Sequence, residues 1–174
     1  LVYIDQHTRR TQDGQGYGES VGARASGWIS ASKKRAAGLL IRSIGTDHNR
    51  LPHTGNMRKD TATRPIPAAA LAAPDADRLH AQLAAGQVRA RITLGCRWLA
   101  EAESANVVGE VPGATRADEI VLLGAHLDSW DLGDGALDDG AGVGAVLEAA
   151  RLLATTSPGA PRTLRVVLFA NEEN

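Results

Sequence analysis

Two side chains that can bind a metal ion stand close together after an apolar run. His126 and Asp128 follow the segment Ile120 to Ala125 and are two positions apart, so at a strand end they share one face. Asp128 can then accept the spare N–H of His126 and fix its tautomer, as the partners of metal-ligating imidazoles do. A His-x-Asp pair alone is weak support for a metal site, because it is also typical of a hydrogen-bonded histidine at a strand end.

Carboxylates occur in pairs at two further points. Asp138 and Asp139 stand before a predicted helix, where a carboxylate can bridge two metal ions about 3.5–4 Å apart, the spacing of co-catalytic sites. Glu172 and Glu173 follow a second apolar run and point to opposite sides of an extended backbone. The natural division is one metal ligand and one general base. Spacing does not say which is which, and two solvated glutamates would be the simpler interpretation of this pair alone.

The charge balance excludes one class of function and favours another. The 174 residues contain 19 Lys and Arg against 20 Asp and Glu, a net charge of −1, which argues against a nucleic-acid binder because such proteins need a clustered positive surface. Between Arg116 and Arg151 there is no Lys or Arg, but there are eight Asp and Glu. Carboxylates this dense repel one another unless a cation lies among them, which favours a metal site.

The elements that must position these side chains form a βαβ unit. Apolar patterning predicts strands and a helix at Asn106 to Val111, Ile120 to Ala125, Gly140 to Ala154 (the helix) and Leu164 to Ala170. This order predicts parallel strands in a sheet covered on both faces. The carboxyl ends of parallel strands share one edge, where open α/β sheets bind ligands. We therefore expect His126 and the Glu172-Glu173 pair to meet at that edge.

The first half of the chain reads as short strands and helices between polar loops. Strands are predicted at Leu1 to Ile4, Leu39 to Ile44 and, from period-2 alternation, Gln87 to Leu94. Helices are predicted at Trp28 to Ala37 and from Pro74 onward. A domain junction is expected near Gly95 to Glu103, where the strand patterning stops.

The chain resembles a known family along most of its length. Gly124 to Gly142 and Arg162 to Asn174 are similar to the co-catalytic zinc exopeptidases, which include bacterial secreted leucyl aminopeptidases and glutamate carboxypeptidases. The upstream segments that resemble parts of the protease-associated insert of these enzymes are Ile41-Arg42-Ser43, Pro52-His53-Thr54-Gly55 and Ile66-Pro67-Ala68. Ser104 to Val108 resembles the link that returns to the catalytic domain.

The resemblance implies an α/β fold, a partial α/β/α sandwich of the zinc exopeptidase type, preceded by part of a protease-associated insert domain, which is β-rich α+β. Residues 1–95 would be the C-terminal part of the insert, and residues 96–174 the first part of the returning catalytic domain. Members of the family complete their site with a further Asp and a further His downstream. The chain is therefore expected to be an internal fragment.

The resemblance also implies a cofactor, Zn²⁺ with two ions per complete site, although a donor set rich in oxygen also suits manganese or cobalt. The implied roles are metal ligand for His126, its orientation for Asp128, bridging ligand for Asp138, general base for Glu172 and metal ligand for Glu173, with no metal role for Asp139. The implied substrate is a short peptide or dipeptide, with no nucleic-acid partner and no membrane span. The resemblance places the protein in a secreted or periplasmic location and allows a homodimer of the full-length protein.

Other interpretations follow from shorter motifs. Gly18 to Gly22 fits the G-x-S-x-G motif of serine hydrolases with Ser20 as nucleophile, but a polar stretch precedes it where that motif needs an apolar strand. Asp128, Asp131 and Asp134 lack the alternation and the terminal Glu of a calcium loop. A noncatalytic receptor-like relative and a di-zinc aminoacylase or carboxypeptidase-type amidohydrolase stay open as alternatives. The joint presence of the four implied ligand and base residues argues against the receptor. The Asp138-Asp139-Gly140 context and the preceding insert favour the exopeptidase over the amidohydrolase.

Overall fold

The computed structural model describes residues 1–53, 55–97, 99–130 and 133–173. Five residues that belong to segments quoted above lie outside these ranges, namely Thr54, Trp98, Asp131, Leu132 and Asn174. The chain divides into two compact units, Leu1–Trp98 and Leu99–Asn174, and each unit has its own three-stranded sheet. The identity of the first unit as a protease-associated insert stays a prediction.

A parallel sheet in the order β1-β2-β3 is the centre of the first unit. The elements of this unit are β1 (Val2–Ile4), α1 (Gln15–Ser20), α2 (Gly22–Ala25), α3 (Gly27–Lys33), β2 (Leu39–Arg42), β3 (Ala68–Leu71) and α4 (Ala73–Ala85). The central strand β2 is buried along its whole length, and its Leu39 and Ile41 form a core cluster with Trp28 and Ala31 of α3. The strands predicted near Leu1 and Leu39 are confirmed, as are the helices predicted near Trp28 and Pro74.

One predicted strand of this unit is wrong. The segment Gln87 to Leu94 forms no strand, although its apolar residues alternate with polar ones. Val88 and Ile92 are half-buried while most of their neighbours are exposed. Alternation meets only half of what a strand needs, because the backbone must also find a partner strand. The described part of the unit also has more helix than strand, so the expected β-rich character is not observed.

The second unit confirms the predicted βαβ arrangement. Its elements are β4 (Val107–Val111), β5 (Arg116–His126), α5 (Gly140–Thr156) and β6 (Arg162–Phe169). The sheet order is β4-β6-β5. β5 and β6 are parallel, as predicted, and β4 pairs with β6 in the antiparallel sense. His126 is paired in register with Phe169, so both strands end at the same edge.

Helix α5 covers one face of this sheet. Ala125, Val166 and Leu168 are buried there, and Val143 and Val146 of α5 pack against them. The sequence predicted cover on both faces, but among the described residues of this unit α5 is the only helix, and Leu122 of β5 remains 55% exposed. No helix in the described part of the chain is long and apolar enough to cross a membrane.

Candidate metal centre

Three side chains predicted to bind metal lie together where β5 and β6 end. A ring nitrogen of His126 and a carboxylate oxygen each of Asp138 and Glu173 all lie within 4.8 Å of one another. His126 is the last residue of β5, Asp138 lies just before α5, and Glu173 follows the end of β6. The parallel pairing of β5 and β6 brings together residues that are far apart in the sequence, because both strands deliver their following residues to one edge.

The imidazole of His126 is held from both sides. Its Nδ1 lies 2.9 Å from the backbone carbonyl oxygen of Asp128 and 3.4 Å from Asp128 Oδ1. Its Nε2 lies 3.0 Å from Asp138 Oδ1. The nearest acceptor for Nδ1 is therefore the backbone of Asp128, whereas the sequence pointed to its carboxylate. With Nδ1–H donating to that carbonyl, Nε2 is the nitrogen that can bind a metal ion.

The carboxylate of Asp128 has a different set of contacts. Its two oxygens each lie 2.9 Å from the backbone nitrogen of Glu172, and Oδ2 lies 2.8 Å from that of Glu173. Hydrogen bonds from these N–H groups, first Glu172 and then Glu173, lower the pKa of Asp128 and keep it ionised. The loop after β5 is thereby fastened to the segment after β6 that carries both glutamates.

The pair Asp138-Asp139, which is joined by a cis peptide bond, contacts His126 twice. Asp138 faces the ring at Nε2, and Asp139 Oδ2 accepts the backbone N–H of His126 at 3.1 Å. Sequence reasoning gave Asp139 no metal role and did not identify this contact. Its only signal in the sequence was the position directly after Asp138.

The groups around His126 favour positive charge on its ring. Burial of the ring acts to lower the pKa of His126, but hydrogen bonds to the Asp128 carbonyl and the Asp138 carboxylate outweigh burial and raise that pKa. One imidazole nitrogen and two carboxylates are a donor set that zinc accepts. The residues present therefore fit the implied metal. The roles assigned to each of them stay predictions.

Glu172 is placed by its backbone. Its backbone N–H donates to the carboxylate of Asp128. Its side chain is exposed and does not belong to the three-residue cluster. The two adjacent glutamates therefore differ in their surroundings, because only Glu173 belongs to that cluster. This difference leaves Glu172 available for a role other than the one of Glu173.

Ser20 is not an exposed nucleophile. It is 1% exposed, its Oγ donates to the Gly16 carbonyl at 2.9 Å, and it lies 2.9 Å from Thr8 Oγ1. It ends helix α1, whereas a serine hydrolase places its nucleophile in a sharp turn between a strand and a helix. The serine-hydrolase interpretation is therefore excluded.

Known proteins are similar to this chain over nearly all of it. Residues 106–174 match the Peptidase family M28. Carboxypeptidase Q of Mus musculus is 35% identical over 174 residues, which are 99% of this chain and 36% of that protein. Carboxypeptidase Q of Xenopus laevis is 36% identical over 158 residues, 90% of this chain and 34% of that protein.

A solved structure agrees with these relatives. The crystal structure of a peptidase M28 precursor from Shewanella amazonensis SB2B has a TM-score of 0.84 and 47% sequence identity, covering 98% of this chain and 39% of that one. The chain thus spans little more than a third of the length of the proteins it matches. The resemblance stated from the sequence is therefore confirmed as a similarity, with residues 106–174 matching Peptidase family M28.

Proposed function

We propose that the chain is part of a zinc-dependent exopeptidase that removes amino acids from short peptides or dipeptides. The observation that carries this proposal is the group of His126, Asp138 and Glu173, whose ligand atoms lie within 4.8 Å of one another. Similarity to carboxypeptidase Q and to an M28 peptidase supports it. The secreted or periplasmic location rests on the family resemblance alone.

Each residue of the centre has a proposed task. His126 and Glu173 would each ligate a zinc ion, and Asp138 would share its carboxylate between two ions. A zinc ion held there would act as a Lewis acid toward the scissile carbonyl oxygen. Glu172 would take a proton from the attacking water and pass it to the leaving amine. Asp128 would keep the His126 ring and the backbone of Glu172 in place.

A base assignment for Glu172 can be tested in a full-length peptidase that contains these residues. Glu172→Gln removes the proton acceptor and keeps the shape of the side chain. We expect it to bind zinc as the unmodified enzyme does and to lose about 10²–10⁴-fold in kcat on a dipeptide. Asp134→Asn, an exposed change in the neighbouring loop, is the matched control. Undiminished hydrolysis by Glu172→Gln would contradict the proposal.

Metal binding can be tested on the 174 residues themselves. Because the family uses further ligands, we expect the chain to bind Co²⁺ weakly and to hydrolyse no dipeptide. The binding would be measured by absorption spectroscopy at Co²⁺ concentrations up to the millimolar range. His126→Ala and Glu173→Ala should each abolish this binding, and Asp134→Asn should leave it unchanged. Equal Co²⁺ binding by all of these variants would show that the metal lies elsewhere.

A further inference from the structure

Asp139 lies at the start of helix α5, but its side chain does not cap the helix. It is the N-cap residue, and its backbone carbonyl accepts the N–H of Val143 at 2.8 Å. An aspartate at this position ordinarily accepts an N–H of the first helical turn with its side chain. The Asp139 side chain makes no such bond, and its Oδ2 accepts the backbone N–H of His126 at 3.1 Å.

Two consecutive aspartates therefore contact the same histidine at different points. Asp138 Oδ1 lies 3.0 Å from the ring at Nε2, and Asp139 holds the backbone of that residue. The contact with Asp139 fixes the backbone of His126 at the end of β5. The contact with Asp138 is made by Nε2 of the ring. Because Asp138 and Asp139 are adjacent, the backbone contact also sets how far His126 lies from Asp138.

Gly142 provides the space that this contact needs. A Cβ at Gly142 would overlap the Asp139 carboxylate, at 2.5 Å from its Cγ and 2.7 Å from its Oδ2. Gly144, two positions after Gly142, has no atom within 4 Å of a Cβ built there. Glycine lowers helix stability relative to alanine. The Asp139 carboxylate, which occupies the space of a Cβ at position 142, explains why a glycine lies in the first turn of α5.

We propose that Asp139 is a positioning residue of the metal centre, which fixes His126 relative to Asp138 by holding the His126 backbone N–H, with Gly142 leaving room for its carboxylate. This role rests on the proposed function, because it concerns the geometry of the proposed ligands. Partners that orient metal ligands typically change metal affinity about 10–100-fold when they are removed.

The test uses the 174-residue chain and four variants. Asp139→Ala removes the acceptor, and Asp139→Asn retains a carbonyl oxygen that can accept the same N–H. Gly142→Ala displaces the carboxylate without changing Asp139, and Gly144→Ala is its control in the same helix. The first readout is the exchange rate of the His126 amide hydrogen measured by NMR without metal, and the second is Co²⁺ affinity.

We expect Asp139→Ala and Gly142→Ala to speed exchange of the His126 amide about tenfold and to weaken Co²⁺ binding about 10–100-fold. Asp139→Asn and Gly144→Ala should resemble the unmodified chain in both readouts. Unchanged exchange in Asp139→Ala, or equal effects of Gly142→Ala and Gly144→Ala, would overturn the positioning role. Absence of Co²⁺ binding by the unmodified chain would instead contradict the proposed metal site itself, whatever the amide exchange shows.

Discussion

Both carboxylate oxygens of Asp128 lie 2.9 Å from the backbone nitrogen of Glu172, although 44 positions separate the two residues in the sequence. The side chain of Asp128 is 14% exposed, so water competes little for this contact. A charged acceptor strengthens a hydrogen bond about twofold relative to a neutral one. The loop after β5 and the segment after β6 are therefore joined at the residue proposed to be the general base.

Removal of the Asp128 carboxylate should loosen the glutamate segment. In Asp128→Ala the N–H groups of Glu172 and Glu173 lose their acceptor, and in Asp128→Asn the side-chain amide retains one oxygen that can accept. We expect faster amide hydrogen exchange at both glutamates in the order Ala, Asn, unmodified chain. We also expect Co²⁺ affinity to fall about 10–100-fold in Asp128→Ala.

The control for this prediction is Asp134→Asn, which changes an exposed carboxylate of the same acidic stretch. It alters local charge without removing an acceptor from Glu172 or Glu173. If it weakened Co²⁺ binding as much as Asp128→Ala does, charge alone would explain the effect.

Ser20 should behave as a structural residue. Its Oγ bonds to Gly16 within α1 and contacts Thr8, so Ser20→Ala should lower the free energy of unfolding by about 1 kcal/mol. Ser30→Ala, at an exposed position of α3, should change it by less than about 0.5 kcal/mol. The unmodified chain should not react with a fluorophosphonate probe. Labelling at Ser20, read by mass spectrometry, would contradict the burial described above.

The parts of the second unit that the sequence predicted are those with a strong and local signal. The apolar runs around Ile120 and Leu164 and the apolar face of α5 predict β5, β6 and their parallel pairing. Parallel pairing then places His126 near the Glu172-Glu173 pair, because both lie at the carboxyl ends of neighbouring strands. The choice of Glu173 as the ligand came from the family resemblance. This is why the ligand group could be anticipated from one sequence.

The contacts of Asp128 and Asp139 could not be predicted, because they depend on the direction of loop backbones. The spacing of His126 and Asp128 indicates that they are near each other, but not that the carbonyl reaches Nδ1 and the carboxylate reaches Glu172. The false strand at Gln87 to Leu94 has a related cause. Side-chain alternation is a local property, whereas a strand exists only if another strand is in reach of its backbone.

Thr163 of β6 joins the loop after β4 to the start of β5 through its hydroxyl group. It is 5% exposed, donates to the Ala117 carbonyl at 2.7 Å and accepts the Gly113 N–H at 3.0 Å. Thr163→Val retains the shape and leaves both backbone groups without this partner. We expect a loss of about 1–3 kcal/mol in the free energy of unfolding by urea.

Thr163→Ser distinguishes the contribution of the hydroxyl group from that of the methyl group, because it removes only the methyl group. It retains both hydrogen bonds and should be clearly more stable than Thr163→Val. Equal destabilisation by the two variants would mean that packing of the methyl group, and not the hydrogen bonds, is what Thr163 contributes.

A buried arginine links the strands and α4 of the first unit. Arg42 is 6% exposed, with Nε 2.6 Å from Asp5 Oδ1 and Nη2 2.7 Å from Asp77 Oδ1. The hydroxyl of Tyr3 donates to Asp5 Oδ1 at 2.8 Å, and His80 Nδ1 lies 2.7 Å from Asp5 Oδ2. Burial acts to raise the pKa of Asp5, but these hydrogen bonds outweigh it and lower that pKa.

The lowered pKa of Asp5 predicts how stability depends on pH. Because the pKa is lower in the folded state than in the unfolded state, the stabilisation from ionised Asp5 is complete above the unfolded value near ~4 and is lost as pH falls through the folded value. Asp5→Asn leaves Arg42 with one carboxylate fewer, so it should cost about 3 kcal/mol at neutral pH. Urea unfolding at pH 7, and at several values below ~4, should show this cost shrinking steadily with acidity. Asp47→Asn, at an exposed position, is the control and should show no comparable trend. If the free energy lost in Asp5→Asn stayed constant over the whole pH range, the ionised carboxylate would contribute no pH-dependent stability.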